Sequence, residues 1–218
     1  MTMAFITALA LLAAPTPAGP QPSATPATPP PAATAPAPEP AAPASSAQVP
    51  PAGWLTYKAA AFAISYPPGF ILKTHHEYEG IGHGNAILGT AFFIPPAFYT
   101  GTNLSPDSYL SVEVFPQVTC TPHAFLANYQ DRPAVREHGR QWLVAADDEG
   151  AAGNLYRETV YALAGSVPCI GVRYFIHSTE LGNYDPGTVQ PFDINRLTAA
   201  FDRMRESLKP ASPPSNPR

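Results

Sequence analysis

Charge is scarce in this sequence: 13% of its 218 residues are Asp, Glu, Lys or Arg, with 12 basic residues against 16 acidic ones. A net charge of −4 leaves no basic field for nucleic acid or an anionic membrane, and neither is an expected partner. Long apolar runs are missing too. Residues 4–14 (AFITALALLAA) are too few to cross a hydrocarbon core of about 30 Å, so no transmembrane span is expected in the mature chain. There is no G-x-S-x-G, no phosphate-binding G-x-x-x-x-G-K-[ST], no G-x-G-x-x-G, no H-E-x-x-H and no internal repeat. Nothing in the pattern calls for a cofactor or names a catalytic residue.

What is abundant is proline. Of 29 Pro, 14 fall in residues 15–52 beside 12 Ala and a single charge, Glu39. That composition cannot build a core, and the segment reads as an extended spacer. The short apolar run before it, followed by small residues, has the size of a signal peptide's hydrophobic region. The expected layout is a signal peptide over 1–18, a Pro/Ala-rich linker over 19–52, one domain over 53–209 and a Pro-rich tail over 210–218. The expected address is secreted or periplasmic. In that oxidising setting the only two cysteines, Cys120 and Cys169, read as one disulfide.

From Trp54 onward, alternation and aromatic or β-branched runs favour strands. Strands are expected over 54–57, 62–66, 70–73, 86–94 with Gly89 as a bulge, 109–115, 141–146, 154–163 and 169–178. Thr121 and Pro122 start a short helix running to about Tyr129. Asp193 caps a helix whose Ile194, Leu197, Phe201, Met204 and Leu208 recur at three and four. The expected class is α+β: an antiparallel sheet packed against a C-terminal amphipathic helix, with a short second helix.

The opening Tyr57, Phe62-Ala63-Ile64-Ser65-Tyr66-Pro67 and Gly69-Phe70, followed by antiparallel strands and a closing helix, resembles the PsbP-like superfamily, a sandwich fold named for an extrinsic photosystem II protein. A second segment is similar to secreted bacterial proteins of unassigned function: Tyr174-Phe175-Ile176-His177-Ser178-Thr179, Gly182-Asn183-Tyr184, Pro186-Gly187-Thr188-Val189 and Phe192-Asp193. These resemblances imply a fold, an address and a mainly accessory or binding role, and transfer no catalytic residue.

Two polar-aromatic loops, 98–103 and 180–185, carry the residues suited to recognition: Tyr99, Asn103, Asn183 and Tyr184, with His177 on the strand between. Their alternative role is turn geometry and packing. The leading reading is a non-enzymatic module that binds an envelope protein or cell-wall component. A second is an envelope hydrolase using Glu113 and Glu158 with His177; Glu180 is a further carboxylate of that kind. A third is small-ligand or metal binding at His75, His76 and His83 with Glu77 and Glu79, against which an ordinary exposed loop is favoured, so no metal ligand is assigned. Asp147-Asp148-Glu149-Gly150 lacks the spacing of a calcium loop and reads as a solvated turn. Gly80-Ile81-Gly82-His83-Gly84 opens no helix that would hold a phosphate.

Overall fold

The computed structural model describes residues 51–79, 86–116 and 119–211. The expected signal peptide and most of the linker and tail lie outside these residues, as do His83 and the 80–84 glycine segment. Ten strands are found: β1 (Leu55–Lys58), β2 (Phe62–Tyr66), β3 (Ile71–Tyr78), β4 (Ile87–Phe93), β5 (Tyr109–Phe115), β6 (Gln130–Glu137), β7 (Arg140–Ala151), β8 (Asn154–Leu163), β9 (Cys169–Thr179) and β10 (Lys209–Pro210). They form a seven-stranded sheet in the order β3-β4-β5-β9-β8-β7-β6 and a three-stranded one, β1-β2-β10. All the strand pairs are antiparallel. Two helices, α1 (Pro96–Tyr99) and α2 (Ile194–Ser207), complete an α+β architecture.

Alternation along β9 sends Ile170, Val172, Tyr174 and Ile176 to one face of the large sheet. There they meet Phe62 and Ile64 of β2 and the stripe Leu197, Phe201, Met204 and Leu208 of α2 in one buried cluster. Each such side chain contributes about 1.5–3 kcal/mol through burial. Asp193 caps α2 by accepting from the Arg196 amide at 2.9 Å. Arg205, buried on the same helix, donates to Tyr174 Oη at 2.9 Å and Asp202 at 3.0 Å and pairs with Glu137 of β6.

The opposite face is covered in part by residues 119–129. Phe125 and Leu126 pack on Ala145, Val160 and Ala162, small or β-branched side chains that let a loop lie close. A Cβ at Gly171 would stand 2.7 Å from the Phe125 ring, so that strand position takes glycine. The Cys120–Cys169 disulfide ties this segment to β9.

Several expectations need correction, among them the solvated turn at Asp147–Gly150, which is instead strand, paired along β7 with β8. The helix expected from Pro122 to Tyr129 is a single 3-10 turn over Pro122–Ala124, because the disulfide and the Phe125 anchor flatten the segment onto the sheet. The bulge expected at Gly89 sits instead in β3, between Lys73 and His76, with His75 at φ 56°. Gly89 is there because a Cβ would come within 2.9 Å of Glu113. Strand β6 has no counterpart among the expected elements: despite Pro133 and four charges it is an edge strand whose register shifts between Arg132 and Val135, around that proline. Finally, Lys209–Pro210, at the start of the expected tail, pairs with β2, and the Ala211 amide donates to Ala61 O at 2.8 Å.

Candidate functional site

Four of the five recognition residues gather at one end of the large sheet. Asn103 is buried and bolts two segments together, donating to Thr179 O at 2.7 Å and accepting from the Phe192 amide at 3.0 Å. Asn183 donates to Gly153 O at 3.1 Å, and Tyr184 Oη shares a 2.6 Å hydrogen bond with Thr179. His177 stacks on Tyr156, with ring centroids 4.5 Å apart. Its Nδ1 lies 2.9 Å from both Asp107 carboxylate oxygens and its Nε2 3.0 Å from Asn154 Oδ1. Tyr99 stands apart on α1, packed against the α2-side core, with its carbonyl accepting from Thr102. The polar groups at this end are spent on one another: they stitch loops, and both ring nitrogens of His177 have partners.

The carboxylates of the hydrolase reading are likewise occupied. Arg173, fully buried, donates through Nε to Glu113 at 2.8 Å and through an Nη to the second Glu113 oxygen at 3.0 Å. It also pairs with Glu158 and donates to Phe125 O. Ser111 and Tyr78 complete the set, donating to Glu113 at 2.7 Å and to Glu158 at 2.8 Å. Burial disfavours the charge on Arg173, and the two carboxylates more than restore it, so the guanidinium titrates above its usual range. Burial raises Glu158, with Arg173 pulling the other way. This is a saturated ion cluster beneath the 119–129 segment, with His177 hydrogen-bonded elsewhere.

The histidine cluster is dispersed. His75 is exposed, while His76 lies edge-on against Tyr109 (4.6 Å) and Phe93 (5.5 Å) with both ring nitrogens buried and without hydrogen-bond partners. Among the described residues, no group of three or more His, Cys, Asp or Glu is placed to hold a metal. Burial, then Lys73, lowers the His76 pKa from 6.5. The unfolded chain therefore binds a proton that the folded one refuses. The stability this lends is present above pH 6.5 and lost as pH falls through the folded value. Glu158, raised by burial, acts in the opposite sense at lower pH. We expect His76→Phe, which keeps the ring contacts, to shrink the stability loss between pH 7 and pH 5.5, read from urea midpoints at the two pH values; an unchanged difference would contradict it.

The open feature lies at the other end of the sandwich. Turns Ala60–Ala61, His138–Gly139 and Ala164–Pro168 and the exit of β10 at Pro210–Ala211 surround a cleft of about 1250 Å³. Gly139 (φ 72°) and Gly165 (φ 74°) make two of these turns, in the left-handed region that favours glycine. Val167, Pro168, Ala60 and Ala61 give it an apolar lining above the buried Leu163 and Ile170, and Val167 is 65% exposed, the most of any large apolar side chain among the described residues. Ser166 is pinned, accepting from the Ile170 amide at 3.0 Å, and the turn runs straight into Cys169 of the disulfide. Arg136 and Arg140 line the same cleft. Arg140 donates to the Glu206 carbonyl at 2.6 Å and to that of Leu208, closing the C-terminus of α2. The lining offers apolar contact and positive charge. These residues come from four distant stretches, each an ordinary turn in sequence, so no local motif announces them.

No family model matches this chain, and no curated protein matches it.

Proposed function

We propose that the protein is an exported binding module that holds an envelope component in the cleft between the His138–Gly139 and Ala164–Pro168 turns. The observation that carries this reading is the exposed Val167 on its turn, facing a space large enough for a ligand and fixed beside a disulfide. Sites of this kind are concave, mostly apolar and pre-formed, with few polar groups. The signal-peptide pattern and the disulfide support the address. The resemblance to the PsbP-like superfamily supports an accessory role. The loop end, where His177, Asn183 and Tyr184 are committed to internal bonds, supports a scaffold more than a contact surface.

The test is co-sedimentation of the full chain with cell-wall sacculi and with envelope lipid vesicles. Val167→Asp should lower retention by at least about tenfold on whichever fraction binds, while Tyr184→Ala leaves it unchanged. Loss of retention with Tyr184→Ala and not with Val167→Asp would move the site to the loop end.

A further inference from the structure

The charges around the cleft do not balance, and the imbalance defines what fits. Its one acidic lining residue, Glu137, is taken by Arg205 of α2 in a buried ion pair. Arg136 is exposed and has no salt bridge among the described residues. Arg140 is half-buried and meets carbonyl oxygens, not a carboxylate. Burial lowers its pKa, while the Glu137 and Glu206 carboxylates pull the other way, so Arg140 is partly compensated and Arg136 is the exposed cation without an ion pair. One exposed guanidinium, Arg136, thus stands in the same lining as Val167 and Pro168 with no ion pair among the described residues, and the carbonyl-bound Arg140 shares that lining.

We propose that the cleft binds an amphiphilic anion, a ligand with an acidic head and a long hydrocarbon chain. The chain lies against Val167, Pro168 and the Ala60–Ala61 turn, and the head stands at Arg136, with Arg140 adding to the local positive field. Each buried CH₂ is worth about 0.8 kcal/mol, so chain length sets affinity while charge sets selectivity. A volume of about 1250 Å³, against the roughly 300–1,000 Å³ of small-molecule sites, leaves ample room for such a chain. A peptide strand is disfavoured at β10, an edge strand facing the cleft that is two residues long and includes Pro210, which has no N–H to donate.

This inference rests on the cleft being the binding site. The experiment is calorimetric titration of the full chain with dodecanoate, with dodecyltrimethylammonium and with acetate, alongside flotation on phosphatidylglycerol vesicles. Dodecanoate should bind one to one, at least about tenfold tighter than the cationic amphiphile, and acetate should not bind. Arg136→Glu should weaken dodecanoate by at least about tenfold, and Val167→Asp should abolish it; an unchanged urea midpoint shows that each variant folds. Flotation with the same dependence on Arg136 and Val167, but no titration by dodecanoate, assigns the acyl chain to a membrane lipid instead of a free acid. Equal binding of both amphiphiles, or indifference to Arg136→Glu, overturns the ligand class and leaves the cleft reading intact. If neither amphiphile nor vesicle binds, this inference falls; the cleft reading then rests on the sacculus assay alone.

Discussion

Replacing Arg173 by Met should destabilise the domain by about 3–5 kcal/mol, the usual result of removing one partner of a buried ion pair. The side chain is fully buried and is held by both oxygens of Glu113, itself 1% exposed, and by Glu158. Without the guanidinium, Glu113 faces its burial with only the Ser111 hydroxyl as donor, and Phe125 O loses its partner. The 119–129 segment is then held by the disulfide, by apolar contacts and by the exposed His123–Asp131 and Asn128–Glu149 hydrogen bonds. The triple variant Glu113→Gln, Arg173→Met, Glu158→Gln should recover a large part of the loss, since neutral groups need no counter-charge. Urea denaturation of the three proteins checks both statements. A single variant within about 1 kcal/mol of the parent would mean that water already solvates the cluster.

Reducing the disulfide, or replacing Cys120 and Cys169 by Ser, should cost about 4 kcal/mol in the loop-entropy account, given the separation of 49 residues. A second consequence is local. Cys169 directly follows the Ala164–Pro168 turn, and Ser166 Oγ sits 3.5 Å from Cys120 Sγ, so the bond also braces one wall of the cleft. The reduced protein should lose cleft binding at denaturant concentrations where its circular dichroism is still native. Melting temperatures with and without reductant, combined with dodecanoate titration, separate the global effect from the local one. An unchanged melting temperature would remove the stabilising role, and unchanged binding would remove the brace.

Strands with an alternating pattern were legible to the residue: 62–66, 109–115 and 154–163 begin and end where alternation predicts. The C-terminal helix was equally legible, because a capping Asp193 and an apolar stripe at three and four are local facts. The pairing of the two cysteines followed from their number. Harder cases were those in which a neighbour overruled the local signal. β6 is a strand because β7 offers it hydrogen bonds, despite Pro133 and its charges. Residues 122–129 are not a helix because Phe125 is drawn down onto Gly171.

The same division holds for function. Asn103, His177, Asn183 and Tyr184 were chosen by residue type, and the fold does bring them to one end, but there their polar atoms face one another. Glu113 and Glu158 were chosen as carboxylates, and only the sheet shows that Arg173 on β9 lies between them. The sequence by itself determined the strand-rich α+β class, the closing helix, the single disulfide and the absence of a basic field, because each depends on periodicity, composition or count. Tertiary structure alone decided which polar groups are spent and which are free, and it alone assembled the cleft. A hydrogen bond or a cavity depends on what other segments bring within a few ångströms, and the turns that meet here are separated by up to about 150 residues in the chain.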